Sequence, residues 1–193
     1  IGVSKAPNYT GQASADAVAE EIRSLGGKAV ADTHSVADED GAAAIIQTAL
    51  DTFGSADILV NNAGVSIAAA VDEMTPADFR LHIEVNLLGP YYLARAAWPH
   101  MKAAGYGRIV NITSGSMAGY ANQAAYAASK GGLRSLTRTL ATEGAASLRG
   151  GAGVGEQAHF GQGVGLEAAA QVFGGAKAHA RAVEAVLGAV DEF

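Results

Sequence analysis

The chain has 193 residues, 49% of them hydrophobic, with 25 glycines, no cysteine and a formal net charge of −6. That length suits one domain with a substantial core, and the composition is that of a packed protein. The acidic balance argues against nucleic acid or an anionic membrane as partner, and the lack of cysteine excludes disulfides, zinc–thiolate sites and thiol nucleophiles.

The opening "IGVSKAPNYTG" lacks a long apolar core and reads as a polar loop rather than a secretory leader. Ser14 is placed to cap a helix over 14–25, with Val18, Ile22 and Leu25 on one face and Gly26-Gly27 as its stop. A short strand is expected within 28–36, centred on Ala29-Val30-Ala31. A second helix follows over 38–53, with Ile46, Leu50 and Phe53 at helical spacing and Gly54 behind them. "ADILVNNAG" predicts a buried strand over 57–60 running into a polar turn, a typical ligand position in open α/β sheets.

Thr75 caps a third helix, with Pro76 in its first turn and Asp78 three residues beyond the cap. Phe79, Ile83 and Leu87 carry its apolar face, and the pattern runs on toward Met101 with a disturbance at Gly89-Pro90. "GRIVNITSGS" predicts a strand over 108–112, and a helix over 123–142 follows with Leu133, Leu136 and Leu140 on one side. The charge-free run 109–129 is too polar to span a membrane, so a soluble, cytoplasmic protein is expected.

From about residue 145 the glycines crowd together and no strand can be found. An Ala-rich helical tail is expected after them, with Val183, Val186, Leu187 and Val190 as apolar contacts. The alternation of elements predicts a single α/β domain over 1–193, a doubly wound parallel sheet with helices on both faces and right-handed crossovers.

The chemistry concentrates in Tyr126-Ala-Ala-Ser-Lys130. Positions i and i+4 of a helix share a face, so Lys130 would hold its ammonium near the Tyr126 phenol. A nearby positive charge favours the phenolate, and a tyrosine tuned in this way can exchange a proton with an alcohol or alkoxide. Ser114, at the end of a predicted strand, can hydrogen-bond the same substrate oxygen. Taken alone, such a pair is a common surface feature and Ser114 a common turn residue. The five histidines, 34, 82, 100, 159 and 179, show no metal-ligand spacing and read as surface or packing residues, so no metal is expected. Trp98 and Tyr91-Tyr92 read as core or subunit contacts.

These residues resemble the short-chain dehydrogenase/reductase family. "YAASK" is similar to its Y-x-x-x-K signature, Asn61-Asn62-Ala63-Gly64 to its N-N-A-G turn, Glu84-Val85-Asn86-Leu87 to its active-site asparagine helix, and "GRIVNITS" to its serine-bearing strand. The resemblance covers about residues 12 to 144. It implies a Rossmann-type fold and hydride transfer between a nicotinamide cofactor, NAD with NADP as the lesser alternative, and a secondary alcohol or ketone. It implies Tyr126 as general acid/base, Lys130 as ligand of the nicotinamide ribose that lowers the tyrosine pKa, and Ser114 as the group orienting substrate. Asn86 would hold a water relaying protons from Lys130. Asn62, Ala63 and Gly64 would line the cofactor cleft, with Ser35 and Val36 beside the adenine; Ser35 stands where the family usually has Asp. Helices 76–102 and 123–142 correspond to the family's usual subunit contacts, which implies a homodimer or homotetramer.

The family's opening T-G-x-x-x-G-x-G turn, which presents backbone N–H groups to the pyrophosphate, has no counterpart before residue 12. The strand and Pro-Gly turn that precede the family's substrate lid are not found after residue 146. The sequence is therefore expected to be the ordered part of a longer chain. Gly153-Val-Gly155-Glu-Gln-Ala158 fits G-x-G-x-x-A but lacks the strand before it that a phosphate-binding turn needs. "RAAWPHM", "YGRIVNITS" and the stretch 11–36 are also similar to the 3-hydroxyacyl-CoA dehydrogenase domains of peroxisomal multifunctional enzymes, which makes a 3-hydroxyacyl thioester a candidate substrate. The competing expectation is a catalytically silent Rossmann-like binding or sensor protein.

Overall fold

A computed structural model of the chain describes residues 11–147, 153–159 and 185–186. Helix α1 (Gly11–Ser24) is followed by strand β1 (Ala29–Val30), helix α2 (Glu39–Phe53) and strand β2 (Ile58–Asn61). Helix α3 (Pro76–Ile83) passes through a π-helical turn (Glu84–Leu88) into α4 (Gly89–Ala104). Strand β3 (Arg108–Ser114), a 3₁₀ turn (Gly115–Ala118), helix α5 (Ala124–Ser147) and strands β4 (Gly153–His159) and β5 (Ala185–Val186) complete the order. The described strands form two parallel groups, β2-β3-β4 and β1-β5.

Local chemistry sets most of these boundaries. Asp38 caps α2 by accepting from the Gly41 N–H at 2.7 Å, and Gly54 ends it in the left-handed region that glycine adopts without strain. Thr75 caps α3 by accepting from the Asp78 N–H at 3.0 Å, with Pro76 in the first turn. The expected disturbance at Gly89-Pro90 is the π turn: the Gly89 N–H reaches back to the Glu84 carbonyl. Ser14, expected as a cap, lies inside α1, which begins three residues earlier at Gly11.

Other expectations need correction. The expected strand over 28–36 shortens to two residues. The strand over 57–60 was expected to be buried, but β2 is an edge of its group and Val60 is 47% exposed. A strand that the sequence hides, β4, pairs with β3 from Arg108↔Gly153 to Ser114↔His159. Glycine is a weak strand former, so its pattern conceals an element that backbone pairing supports. The G-x-G-x-x-A stretch at 153–158 is thus extended chain within a sheet. Of the expected helical tail, Val186 lies in β5, paired with Val30, while Val183, Leu187 and Val190 fall outside the described residues.

The core joins α2, α4, α5 and β3. Ala42 and Ile46, Leu93, Ala94, Ala97 and Met101, Ile109 and Leu140 form one buried cluster. Ala42, Ala94 and Ala97 have no exposed surface; their small side chains let α2 and α4 pack closely. Burying a side chain of the size of Ile46, Leu93 or Met101 contributes about 1.5–3 kcal/mol. Trp98 and Tyr92 pack against this cluster from its margin.

Gly41 ties α2 to the chain after β1. A Cβ there would lie 2.1 Å from the Ser35 carbonyl oxygen, a backbone atom that cannot swing away. Gly41→Ala gains about 1 kcal/mol of helix propensity, but the forced displacement costs about 1–3 kcal/mol. The variant is expected to melt earlier in thermal unfolding; equal or greater stability would contradict this packing.

Candidate active site

Strand β3 delivers Ser114, and α5 delivers Tyr126, Ser129 and Lys130. The Tyr126 phenol is hydrogen-bonded by Ser114, and burial raises its pKa while that bond works to lower it. Lys130 is 3% exposed, and its Nζ donates to the Ile112 carbonyl at 2.7 Å and lies 5.7 Å from the Tyr126 ring centroid. Burial pulls its pKa down to about 8. Here the ammonium faces a carbonyl, and burial is the larger influence on the phenol. Ser114 Oγ also accepts from the Ser116 N–H and donates to Ser116 Oγ, each at 3.2 Å.

Asn86 has no exposed surface and sits in the π turn. Its Oδ1 accepts from the Val65 N–H at 2.8 Å, while its Nδ2 donates to the Val65 carbonyl at 2.9 Å and to Ser129 Oγ at 3.1 Å. Ser129 in turn donates to the Tyr126 carbonyl at 2.8 Å. Both ends of the Asn86 amide are thus engaged by protein groups, which makes it a clamp between the chain after β2 and the tyrosine helix. The extra residue of the π turn places it there.

Asn62, Ala63 and Gly64 leave the end of β2 toward this cluster. A Cβ at Gly64 would stand 3.2 Å from Asn86 Oδ1 and 3.8 Å from both Lys130 Nζ and the Asn62 carbonyl. The absent side chain leaves a space bordered by a buried cation and by hydrogen-bonding groups. That donor set fits a hydroxyl-rich, polar ligand such as the ribose of a nicotinamide nucleotide. Ser35 is occupied locally, its Oγ accepting from the Ala37 N–H at 3.1 Å. Val36 packs on Gly89, immediately after the π turn, a Cβ there standing 3.0 Å from the Val36 carbonyl. Val36 thus meets the chain just after the π turn and Ser35 meets α2 at Gly41, whereas Ser114, Tyr126, Lys130, Asn86 and Gly64 converge.

Two groups escaped sequence reading. His82, read as a surface or packing histidine, does pack, fully buried on α3, but its contact with the Tyr126 ring was not anticipated, whereas Phe79, assigned to the apolar face, is 38% exposed. Behind the site, Asn61 Nδ2 donates to Asn111 Oδ1 at 2.8 Å, Asn111 Nδ2 to Thr137 Oγ1 at 2.9 Å, and Thr137 to the Leu133 carbonyl at 2.7 Å. This buried chain fixes β2, β3 and α5 relative to one another. Among the described residues no group of three His, Asp or Glu side chains could hold a metal ion, and no helix is long and apolar enough to cross a membrane.

The pattern of the short chain dehydrogenase family matches residues 7–148. A short-chain type dehydrogenase/reductase of Mycobacterium tuberculosis is 45% identical over 146 residues, 75% of this chain and 51% of the relative. The peroxisomal multifunctional enzyme A of Dictyostelium discoideum is 46% identical over 143 residues, 71% of this chain and 32% of the relative. The chain thus spans about half of one relative and a third of the other. A solved gluconate 5-dehydrogenase from Burkholderia cenocepacia, in complex with NADP and tartrate, superposes with TM-score 0.68 at 34% identity, over 74% of this chain and 55% of that one. The fold is the α/β, doubly wound Rossmann type. Matched by the family pattern across its catalytic segments and by relatives on both sides of the comparison, the chain belongs to the short-chain dehydrogenase family.

Proposed function

We propose that the site catalyses reversible oxidoreduction between a secondary alcohol and a ketone with a nicotinamide cofactor. The observation that carries this reading is the meeting of a Ser114-bonded Tyr126 phenol with a nearly dry Lys130 one helical turn away. When bound, the cofactor supplies the hydride acceptor or donor. Lys130, Asn62 and Gly64 are the residues suited to hold its ribose. Ser114 Oγ hydrogen-bonds the substrate oxygen, and Tyr126 Oη exchanges a proton with it. A phenol whose pKa is raised by burial keeps its proton at neutral pH, so the arrangement suits delivery of that proton to a developing alkoxide, the reductive direction.

The similarity to peroxisomal multifunctional enzymes and to a 3-oxoacyl-[acyl-carrier-protein] reductase of Synechocystis supports a 3-oxoacyl or 3-hydroxyacyl thioester as substrate class. We take NAD as the working cofactor, with NADP as the alternative, in a cytoplasmic homodimer or homotetramer. Calorimetric titration with NADH and then NADPH is the direct test, followed by turnover of ketones and 3-oxoacyl thioesters. Binding of one nucleotide with turnover of a carbonyl is expected. Binding without turnover of any carbonyl would support a silent sensor instead.

A further inference from the structure

His82 has no exposed surface, yet it is polar and sits on a face that packs inward. Its Nδ1 lies 2.7 Å from the Asp78 carbonyl, and its Nε2 lies 2.9 Å from the Ile67 N–H. A carbonyl only accepts and an amide N–H only donates. The ring is therefore held as one neutral tautomer, protonated on Nδ1, with Nε2 accepting. Its edge meets the Tyr126 ring at a centroid distance of 6.3 Å and an interplanar angle of 77°, a favoured aromatic geometry.

The segment between Gly64 and Ala69 is gripped at several points. Asn86 holds Val65 through both backbone groups, His82 holds Ile67, and the Ala69 N–H donates to the Asn122 carbonyl. His82 differs from the other grips because the same ring also touches the phenol. A hydrophobic residue would fill the space but leave the Ile67 N–H with no acceptor from this side, a costly loss where water is excluded.

We propose that His82 is a positioning residue, which locks the segment after β2 to α3 and sets the orientation of the Tyr126 ring. This rests on the reading of Tyr126 as the proton-exchanging group. Among the described residues, the titratable groups facing that ring are Lys130, from its own helix, and His82, from α3; β3 presents the Ser114 hydroxyl.

The test is an ultraviolet titration of tyrosinate on the full chain, with each His82 variant compared against its own Tyr126→Phe background so that only Tyr126 is read. His82→Asn keeps reach to the Asp78 carbonyl but loses the grip on Ile67. His82→Gln keeps an acceptor near the Nε2 position. In His82→Asn the wall opens and water reaches the phenol, so the Tyr126 midpoint is expected to fall by about half a pH unit or more. In His82→Gln it is expected to stay near that of the parent, while NADH and NADPH binding is unchanged in both. A His82→Asn protein, folded by circular dichroism, with the parent's Tyr126 midpoint would overturn the proposal. So would equal displacement in both variants, which marks a merely structural role. If His82→Asn does not fold, His82→Ala, which removes the ring contact and both hydrogen bonds and so opens the same wall, takes its place with the same two outcomes. The titration needs no substrate, so it stays decisive for His82 even if Tyr126→Phe leaves turnover intact and the catalytic reading falls.

Discussion

Tyr126→Phe is expected to bind nicotinamide nucleotide as tightly as the parent and to lose turnover by about a hundred- to ten-thousand-fold, the range that a positioned general acid supplies. The change removes one oxygen from a half-buried ring. The ring's packing against His82 and the Ser129 bond to the Tyr126 backbone carbonyl are both untouched by it. Ser114 loses a side-chain partner but retains the Ser116 N–H and hydroxyl. Any loss of rate therefore reports the proton and not the scaffold, provided the melting temperature stays close to that of the parent. Steady-state kinetics beside a calorimetric nucleotide titration separates the two. A variant that keeps most of its turnover would remove Tyr126 from the mechanism. One that loses nucleotide affinity along with turnover would make the tyrosine a cofactor ligand first.

Much of this site was legible because helices and strands impose fixed spacing. The i, i+4 relation of Tyr126 and Lys130 needs only that α5 be a helix, and Ser114 needs only that β3 end there. What the sequence withheld was direction and distance. That Lys130 turns to the Ile112 carbonyl, so that burial governs the phenol's pKa, depends on where β3 lies against α5. The polar chain from Asn61 through Asn111 to Thr137 joins residues 50 and 26 positions apart; locally, Asn61 reads as a turn residue, Asn111 as part of a strand and Thr137 as part of a helix. His82 was hidden for a related reason. The apolar spacing of α3 pointed inward with Phe79, but the face that meets the tyrosine carries His82 and Asn86 at helical spacing. Two polar residues on one face are the signal that was available. In β4 the glycines obscured a strand whose support is its pairing with β3 rather than its own composition.

Lys130→Met is expected to abolish most turnover and yet to make the protein more stable at pH 7. The folded protein holds the lysine pKa at about 8 against an ordinary value of 10.5. Between those values the unfolded chain binds the extra proton, so the parent's stability rises as pH climbs from 8 toward 10.5. Below pH 8 the buried ammonium carries its full penalty, about 3 kcal/mol from the size of the shift. Methionine fills much of the same space without charge, but leaves the Ile112 carbonyl without the Nζ donor, a loss of about 1 kcal/mol. The balance is a gain of about 2 kcal/mol at pH 7, or roughly 4–8 °C in melting temperature for a chain of this size. That gain should shrink as pH is raised toward 10.5 and reverse above it, where the parent's lysine becomes neutral in both states and only the lost hydrogen bond remains. Thermal melts of both proteins at pH 7 and pH 10 decide it. If the variant is less stable by the same margin at both, the ammonium is not strained by burial, and its neighbours stabilise it more than the loss of water costs. A gain at pH 7 that disappears by pH 10 would mean that the fold keeps a destabilising charge for the chemistry beside Tyr126.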